Sequence, residues 1–229
     1  MLDFQHFELL TFDCYGTLID WETGLLGALR KVLNNHGKRL DDAAVLKIYG
    51  QLEPKLQRNG FRNYYDILEN VVRGFGEQLG FKPTETEAAS LPESLKNWQP
   101  FSDTVPALKK LKSKYKLAII SNTDDDLFAG SAKLLQVPFD YVTTAQQAGA
   151  YKPSFAPFNL AMKKAGIHKE RILHVAQSIY HDIVPAKSLG LATVWVNRNA
   201  SKLFAAAGKN RPDLEVPDLR TLAALAIPA

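Results

Sequence analysis

The chain changes texture twice, and this restricts its fold more than any other feature. Residues 7–13, Phe7-Glu8-Leu9-Leu10-Thr11-Phe12-Asp13, read as one short buried strand. From Asp20 to about Gln99 no segment reads as a strand, and apolar residues recur at helical spacing. Leu25, Leu26, Leu29, Val32 and Leu33 form one stripe ending near Gly37, and Ile67, Leu68, Val71, Val72 and Phe75 form another ending near Gly80. From Ser102 onward strands and helices alternate, which implies βαβ units and a parallel sheet. The spacing predicts strands at Leu117–Ile120, Tyr141–Thr143, Ile172–Val175 and Thr193–Val196. It predicts helices carrying Val105, Leu108 and Leu111 behind a Ser102 or Asp103 cap, near Ser154–Ala165, and near Asp182–Leu189, the last two stopped by Gly166 and Gly190. The tail around Pro212 and Pro217 reads as a surface connection. The pattern is an α/β core interrupted by an all-helical insertion.

With 229 residues and 46% hydrophobic content, there is material for one substantial core plus an inserted accessory domain. The net charge is +4, but its only cluster, Lys109 to Lys116, is mild and reads as a solvated helix face, not a nucleic-acid surface. The single cysteine, Cys14, excludes an intrachain disulfide framework and is compatible with a reducing cytoplasm. No apolar run reaches the roughly 18 residues of a membrane span, and the acidic start Leu2-Asp3-Phe4 does not read as a signal peptide.

Chemistry gathers at the strand ends. Asp13 and a Gly-Thr turn follow the first strand, and Ser121-Asn122 follow the Leu117 strand. Lys152-Pro153 lie beyond the Tyr141 strand, and Asp182 lies beyond the Ile172 strand. In α/β folds ligands bind at the C-terminal ends of strands, so four such loops converge on one site. Cys14, next to Asp13 on an extended segment, points to the opposite face. His174 sits within a core strand and reads as a buried, hydrogen-bonded histidine. Tyr180 and His181 read equally as pocket residues or as an ordinary loop pair.

The order Asp13, Ser121-Asn122, Lys152-Pro153, Asp182 resembles the haloacid dehalogenase superfamily, and Phe12-Asp13-Cys14-Tyr15-Gly16-Thr17-Leu18 resembles its type II 2-haloacid dehalogenase branch. The resemblance spans the whole chain. It implies a Rossmann-like parallel-sheet core (residues 1–19 and 100–229), a helical cap (residues 20–99), an aspartate that forms a covalent intermediate, and pairing of the protein into a homodimer. Phosphatases of the superfamily carry a second Asp two residues after the nucleophile, where this chain has Tyr15, and an acidic magnesium ligand where this chain has Gln177. Magnesium favours hard anionic oxygens, and both departures lower the charge available to it. The reading is therefore of a site without metal or cofactor. A halide leaves as an anion without needing a proton, so this site suits carbon–halogen cleavage.

The expected reaction begins with attack of Asp13 on the halogen-bearing carbon of a short 2-haloalkanoic acid, the L-isomer by resemblance, and ends with hydrolysis of the resulting ester. Lys152 is expected to keep Asp13 ionised by opposing its burial, since a nearby cation lowers a carboxylate pKa, and Thr17 to orient its carboxylate. Ser121 is assigned to the substrate carboxylate, the Asn122 amide to the departing halide, and Tyr15, Gln51 and Ser178 to the pocket lining. Asp182 has three open roles: water activation, anchoring Lys152, or capping a helix. The cap arginine that grips the halide in the resembling enzymes falls at Gly50, with Arg58 or Arg62 as substitutes from another turn. The fourth motif, Gln177-Ser178-Ile179-Tyr180-His181-Asp182, is one residue longer than theirs. Two alternatives stay open: a magnesium-dependent small-molecule phosphatase, and a non-catalytic protein that binds small anions.

Overall fold

The structure, a computed structural model, describes residues 2–58, 60–199 and 211–228. Six strands form one parallel sheet: β1 (Leu9–Phe12), β2 (Lys116–Ser121), β3 (Tyr141–Thr144), β4 (Ile172–Ala176), β5 (Ala192–Val196) and β6 (Leu214–Val216). Their spatial order is β3-β2-β1-β4-β5-β6, the order of the Rossmann-like doubly wound fold. The chain runs outward on one side of β1 through β2 and β3, then crosses to β4 on the other side. The crevice beyond β1 and β4 is where such sheets bind ligands.

Alternation along β1 decides which side chains reach that crevice. Leu10, Phe12 and Cys14 pack into the core on one face with Leu117, Ile119 and Val175. Leu9 packs on the other with Ala118, Ile120 and Ile172. The period of two puts Asp13 on the Leu9 side and Cys14 opposite. Burial pushes the Cys14 thiol well above its ordinary pKa, so it is an inert core residue.

Between β1 and β2 the described chain is helical: α1 (Trp21–Asn35), α2 (Asp42–Gln57), α3 (Tyr64–Leu79), α4 (Glu85–Ser94), a 3₁₀ turn (Leu95–Asn97) and α5 (Thr104–Lys112). Both apolar stripes of the sequence are buried, and α3 stops at Gly80 in the left-handed region, φ 71°. The N-terminus of α3 is capped from a distance. Asn63 makes no side-chain cap, and Asp124, in the loop after β2, accepts from the amides of Tyr64 (2.9 Å) and Tyr65 (2.8 Å). Gly24 on α1 lies against the Trp98 indole, so close that a Cβ would sit 2.3 Å from the ring.

The remaining helices are α6 (Asp125–Leu135), α7 (Ala145–Ala148), α8 (Phe155–Ala165), α9 (Val184–Ser188) and α10 (Leu219–Ala226). Three expectations need correction. Asp103 stands at the start of α5 but does not cap it; its carboxylate accepts from Arg198 and from the Leu219 amide. The segment expected as a helix from Asp182 begins earlier, as a π-helical turn (Ile179–Ile183) capped by Ser178, so Asp182 is not a helix cap. The tail is not a surface connection, because β6 completes the sheet and α10 buries Leu219, Leu222 and Ala223 against the core. Among the described residues, no helix is long and apolar enough to cross a membrane.

Candidate active site

Asp13 leaves β1 with its amide still bonded to the Val175 carbonyl, 3.1 Å away. The following turn, through Gly16 at φ 96°, brings Thr17 back under the carboxylate. The Thr17 hydroxyl donates to Asp13 Oδ2 at 2.7 Å and accepts from the Gln177 amide at 2.9 Å. Behind this loop, the Arg198 guanidinium holds the Thr17 carbonyl from Nε and Nη2 and pairs with Asp103. Arg198 carried no signal in the sequence, because its partner groups come from two distant loops.

Lys152 is almost wholly buried, at 2% exposure. Its ammonium donates to Asp13 Oδ1 (2.8 Å), Asp182 Oδ1 (2.7 Å) and the Ile120 carbonyl (2.8 Å), which uses all three of its hydrogens. Asp182 Oδ1 also accepts from His174 Nε2 at 3.1 Å, and His174 Nδ1 meets the Thr11 hydroxyl at 2.9 Å. A carboxylate only accepts, so Nε2 carries a proton toward Asp182. His174 is thus the buried, satisfied histidine expected. The four convergent loops do meet, and the Lys152–Asp182–His174 chain makes Asp182 an anchor.

Charge in this cluster is unevenly shared. Burial raises the Asp13 pKa above its ordinary value, Lys152 opposes that rise and the Asp182 charge adds to it. The cation expected to hold Asp13 down therefore offsets burial without overcoming it. Burial also acts on Asp182, but Lys152 and His174 together bring its pKa below the ordinary value.

Above Asp13 opens a cavity of about 410 Å³, lined by the loops and by α2 and α3, within the usual range for small-molecule sites. Trp21, Tyr49, Tyr64 and Trp98 form its aromatic wall, and Tyr15 packs edge-on against Trp98 at 5.9 Å. The Tyr15 hydroxyl is tied to Ser131 at 2.9 Å, and burial raises its pKa, so it is no acid for a leaving group. Ser121 Oγ lies at the cavity, buried and without a hydrogen-bond partner, which suits it to a ligand. The Asn122 side chain clamps the Lys152 backbone in both directions, accepting from its amide (2.7 Å) and donating to its carbonyl (3.0 Å). One amide hydrogen remains for a ligand. Ser178 lines the cavity while capping the turn that holds Asp182.

Gln51 does not belong to the site. It is exposed on α2, whose cavity face carries Leu46, Tyr49, Gly50 and Glu53, because about 100° per residue turns position 51 outward. Arg58 lines a neighbouring cleft of about 280 Å³ with Phe61, Tyr151, Tyr180 and His181, and Arg62 lines neither. His181 borders both spaces, whereas Tyr180, at 59% exposure, borders only the cleft. Glu53 faces the cavity and was missed in the sequence.

The donor set does not suit magnesium. Asp13 and Asp182 both lie on the Lys152 ammonium, and beside Gly16 stand the Trp21 indole and the neutral Gln177 amide. Among the described residues, no cluster of three or more His, Cys, Asp and Glu is arranged to hold a metal ion.

A parallel sheet that joins Asp13, Lys152 and Asp182 at its strand ends, under a helical wall, defines an α/β protein with a carboxylate–lysine site. The family profile "Haloacid dehalogenase-like hydrolase" matches residues 10–196, and the chain belongs to that family. It is 28% identical over 222 residues to the (S)-2-haloacid dehalogenase of Pseudomonas sp. (strain YL), covering 94% of this chain and 93% of that protein. It is 30% identical over 218 residues to haloacetate dehalogenase H-2 of Moraxella sp. (strain B), covering 92% and 93%. The fold superposes on the L-2-haloacid dehalogenase of Xanthobacter autotrophicus with chloropropionic acid covalently bound, with a TM-score of 0.80 at 19% identity, covering 96% of this chain and 98% of that one.

Proposed function

We propose that this protein hydrolyses the carbon–halogen bond of short 2-haloalkanoic acids through an ester on Asp13, without a metal. One observation carries the reading. Asp13 is buried at the cavity floor between Lys152 and Thr17, and the position two residues later holds a tyrosine whose hydroxyl is bound to Ser131. The site therefore has a carboxylate with no acid two residues after it. Nearly full-length similarity to two enzymes named as dehalogenases of haloacids supports it.

In the first step an Asp13 carboxylate oxygen bonds to C2 of the substrate, and the carbon–halogen bond breaks with its electron pair leaving on the halide. Water then attacks the aspartyl carbonyl carbon, releasing the 2-hydroxy acid and a proton and restoring Asp13. Ser121 Oγ and the remaining Asn122 hydrogen are the donors for the substrate carboxylate and the halide. Helices α1–α4 act as the cap that excludes water from the first step.

Bromide release from 2-bromopropionate is expected in the presence of a chelator and is expected to vanish in Asp13→Asn. A single turnover in oxygen-18 water should place label in the Asp13 peptide. Folded protein that releases no halide from a panel of such acids, or releases product without labelling Asp13, rejects the reading. Magnesium-dependent phosphate release from an ester, lost on chelation, would replace it with phosphatase chemistry.

A further inference from the structure

The cavity above Asp13 presents no free positive charge. Lys152 is its only lysine or arginine among the described residues, and all three of its hydrogens are used. Glu53 on α2 lines the same cavity, one helical turn from Gly50 and on the same face. The hydrogen bonds that reach Glu53, from the Tyr64 hydroxyl (3.4 Å) and the Gln57 amide, both fall on Oε1. None from a described residue reaches Oε2. The Tyr64 hydroxyl in turn shares a hydrogen bond with that of Tyr49, 3.0 Å away. A carboxyl group with one free oxygen therefore lines the space that a substrate carboxylate must share.

We propose that Glu53 sets the substrate charge this cavity accepts: as a neutral acid it admits a carboxylate, and as an anion it excludes one while still admitting the corresponding amide. The substrate class deepens the reaction proposed above and rests on it. The neutral acid can donate a hydrogen bond to an incoming carboxylate, whereas two carboxylates in a water-poor aromatic pocket repel. Burial pushes the Glu53 pKa up to about 7, so both forms are populated near neutrality. Of the other groups facing the cavity, burial raises the Asp13 pKa against the pull of Lys152, and Asp182 is held low by Lys152 and His174 against burial. Tyr49, Tyr64 and Tyr151 are raised above the ordinary phenol value by burial, and Lys152 stays protonated between Asp13 and Asp182. Burial lowers the His181 pKa, so its ring loses its proton at lower pH than Glu53 does.

The test is calorimetric binding of propionate and of propionamide to wild-type protein and to Glu53→Gln, with bromide release from 2-bromopropionate and 2-bromopropionamide measured in parallel. From about pH 6 to about pH 8.5, wild-type affinity for propionate is expected to fall at least about tenfold while that for propionamide stays level. Glu53→Gln is expected to bind propionate equally at both pH values. A parallel decline for acid and amide, or the wild-type decline persisting in Glu53→Gln, overturns the proposal. If the binding pattern holds but no halide is released from any substrate, the reaction fails and the charge gate stands. If halide is released with no such binding pattern, the gate alone fails. If Glu53→Gln folds poorly, Glu53→Met takes its place, and level propionate binding across the two pH values is expected of it too.

Discussion

The Lys152 ammonium distributes its three hydrogens among Asp13, Asp182 and the backbone of β2, so removing it strands two buried carboxylates. Lys152→Met is expected to lower stability by about 3–5 kcal/mol, read as a fall in the thermal midpoint. The pH dependence has a definite sign. The Asp182 pKa is lower in the folded protein than its ordinary value of 3.8, so its contribution is fully present above the unfolded value and is lost as pH falls through the folded one. Acid unfolding followed by circular dichroism should draw on Asp182 only below about pH 4, and Lys152→Met should move that contribution upward. Asp13 acts in the opposite sense, since a raised folded pKa makes its protonation favour the folded state. Asp13, Lys152 and Asp182 were legible in the sequence because each follows a strand whose period is local. Glu53 was not, because a helix residue becomes a wall only through the angle at which its helix packs.

Among the elements, α1 depends on a missing side chain. Gly24 lets the helix approach Trp98, and Gly24→Ala would force the indole away from both α1 and Tyr15. Alanine gains up to about 1 kcal/mol of helix propensity, but overpacking of this size costs about 1–3 kcal/mol. The expected result is a net loss of stability together with reduced halide release, because Trp98 lines the cavity. A raised thermal midpoint with full activity would show that the indole has room to shift. Helices α1 and α3 were readable from their apolar stripes, and α8 from its Ser154 start and Gly166 stop. The tail was misread because its prolines suggested a loop. Pro217 precedes Asp218, whose side chain caps α10 at the Thr221 amide, so this proline sits just outside the helix and breaks nothing.

At the scale of the molecule, the helices between β1 and β2 are tied to the sheet by the Asp124 carboxylate, which belongs to a strand-end loop and caps α3. Asp124→Ala should cost about 1–2 kcal/mol and should speed amide exchange at Tyr64 and Tyr65 ahead of the strands. Uniform exchange across α3 and β1 would instead mean that the insertion and the sheet open together. The two-texture organisation was visible in the sequence as hydrophobic period, which is local. The tie was not, because it joins residues sixty positions apart that share no pattern.

Two of the three indoles in the chain, Trp21 and Trp98, stand in the cavity wall, and the third, Trp195, is bonded to the Gln177 carbonyl at 2.8 Å. Ultraviolet emission from this protein therefore includes that of two indoles in the chamber wall. A ligand that enters should alter its colour and intensity with no label attached. Bromide and iodide quench indoles on contact, so a halide set free beside Asp13 would dim the protein until it escaped. The molecule thereby offers an optical clock for the interval between bond cleavage and halide release.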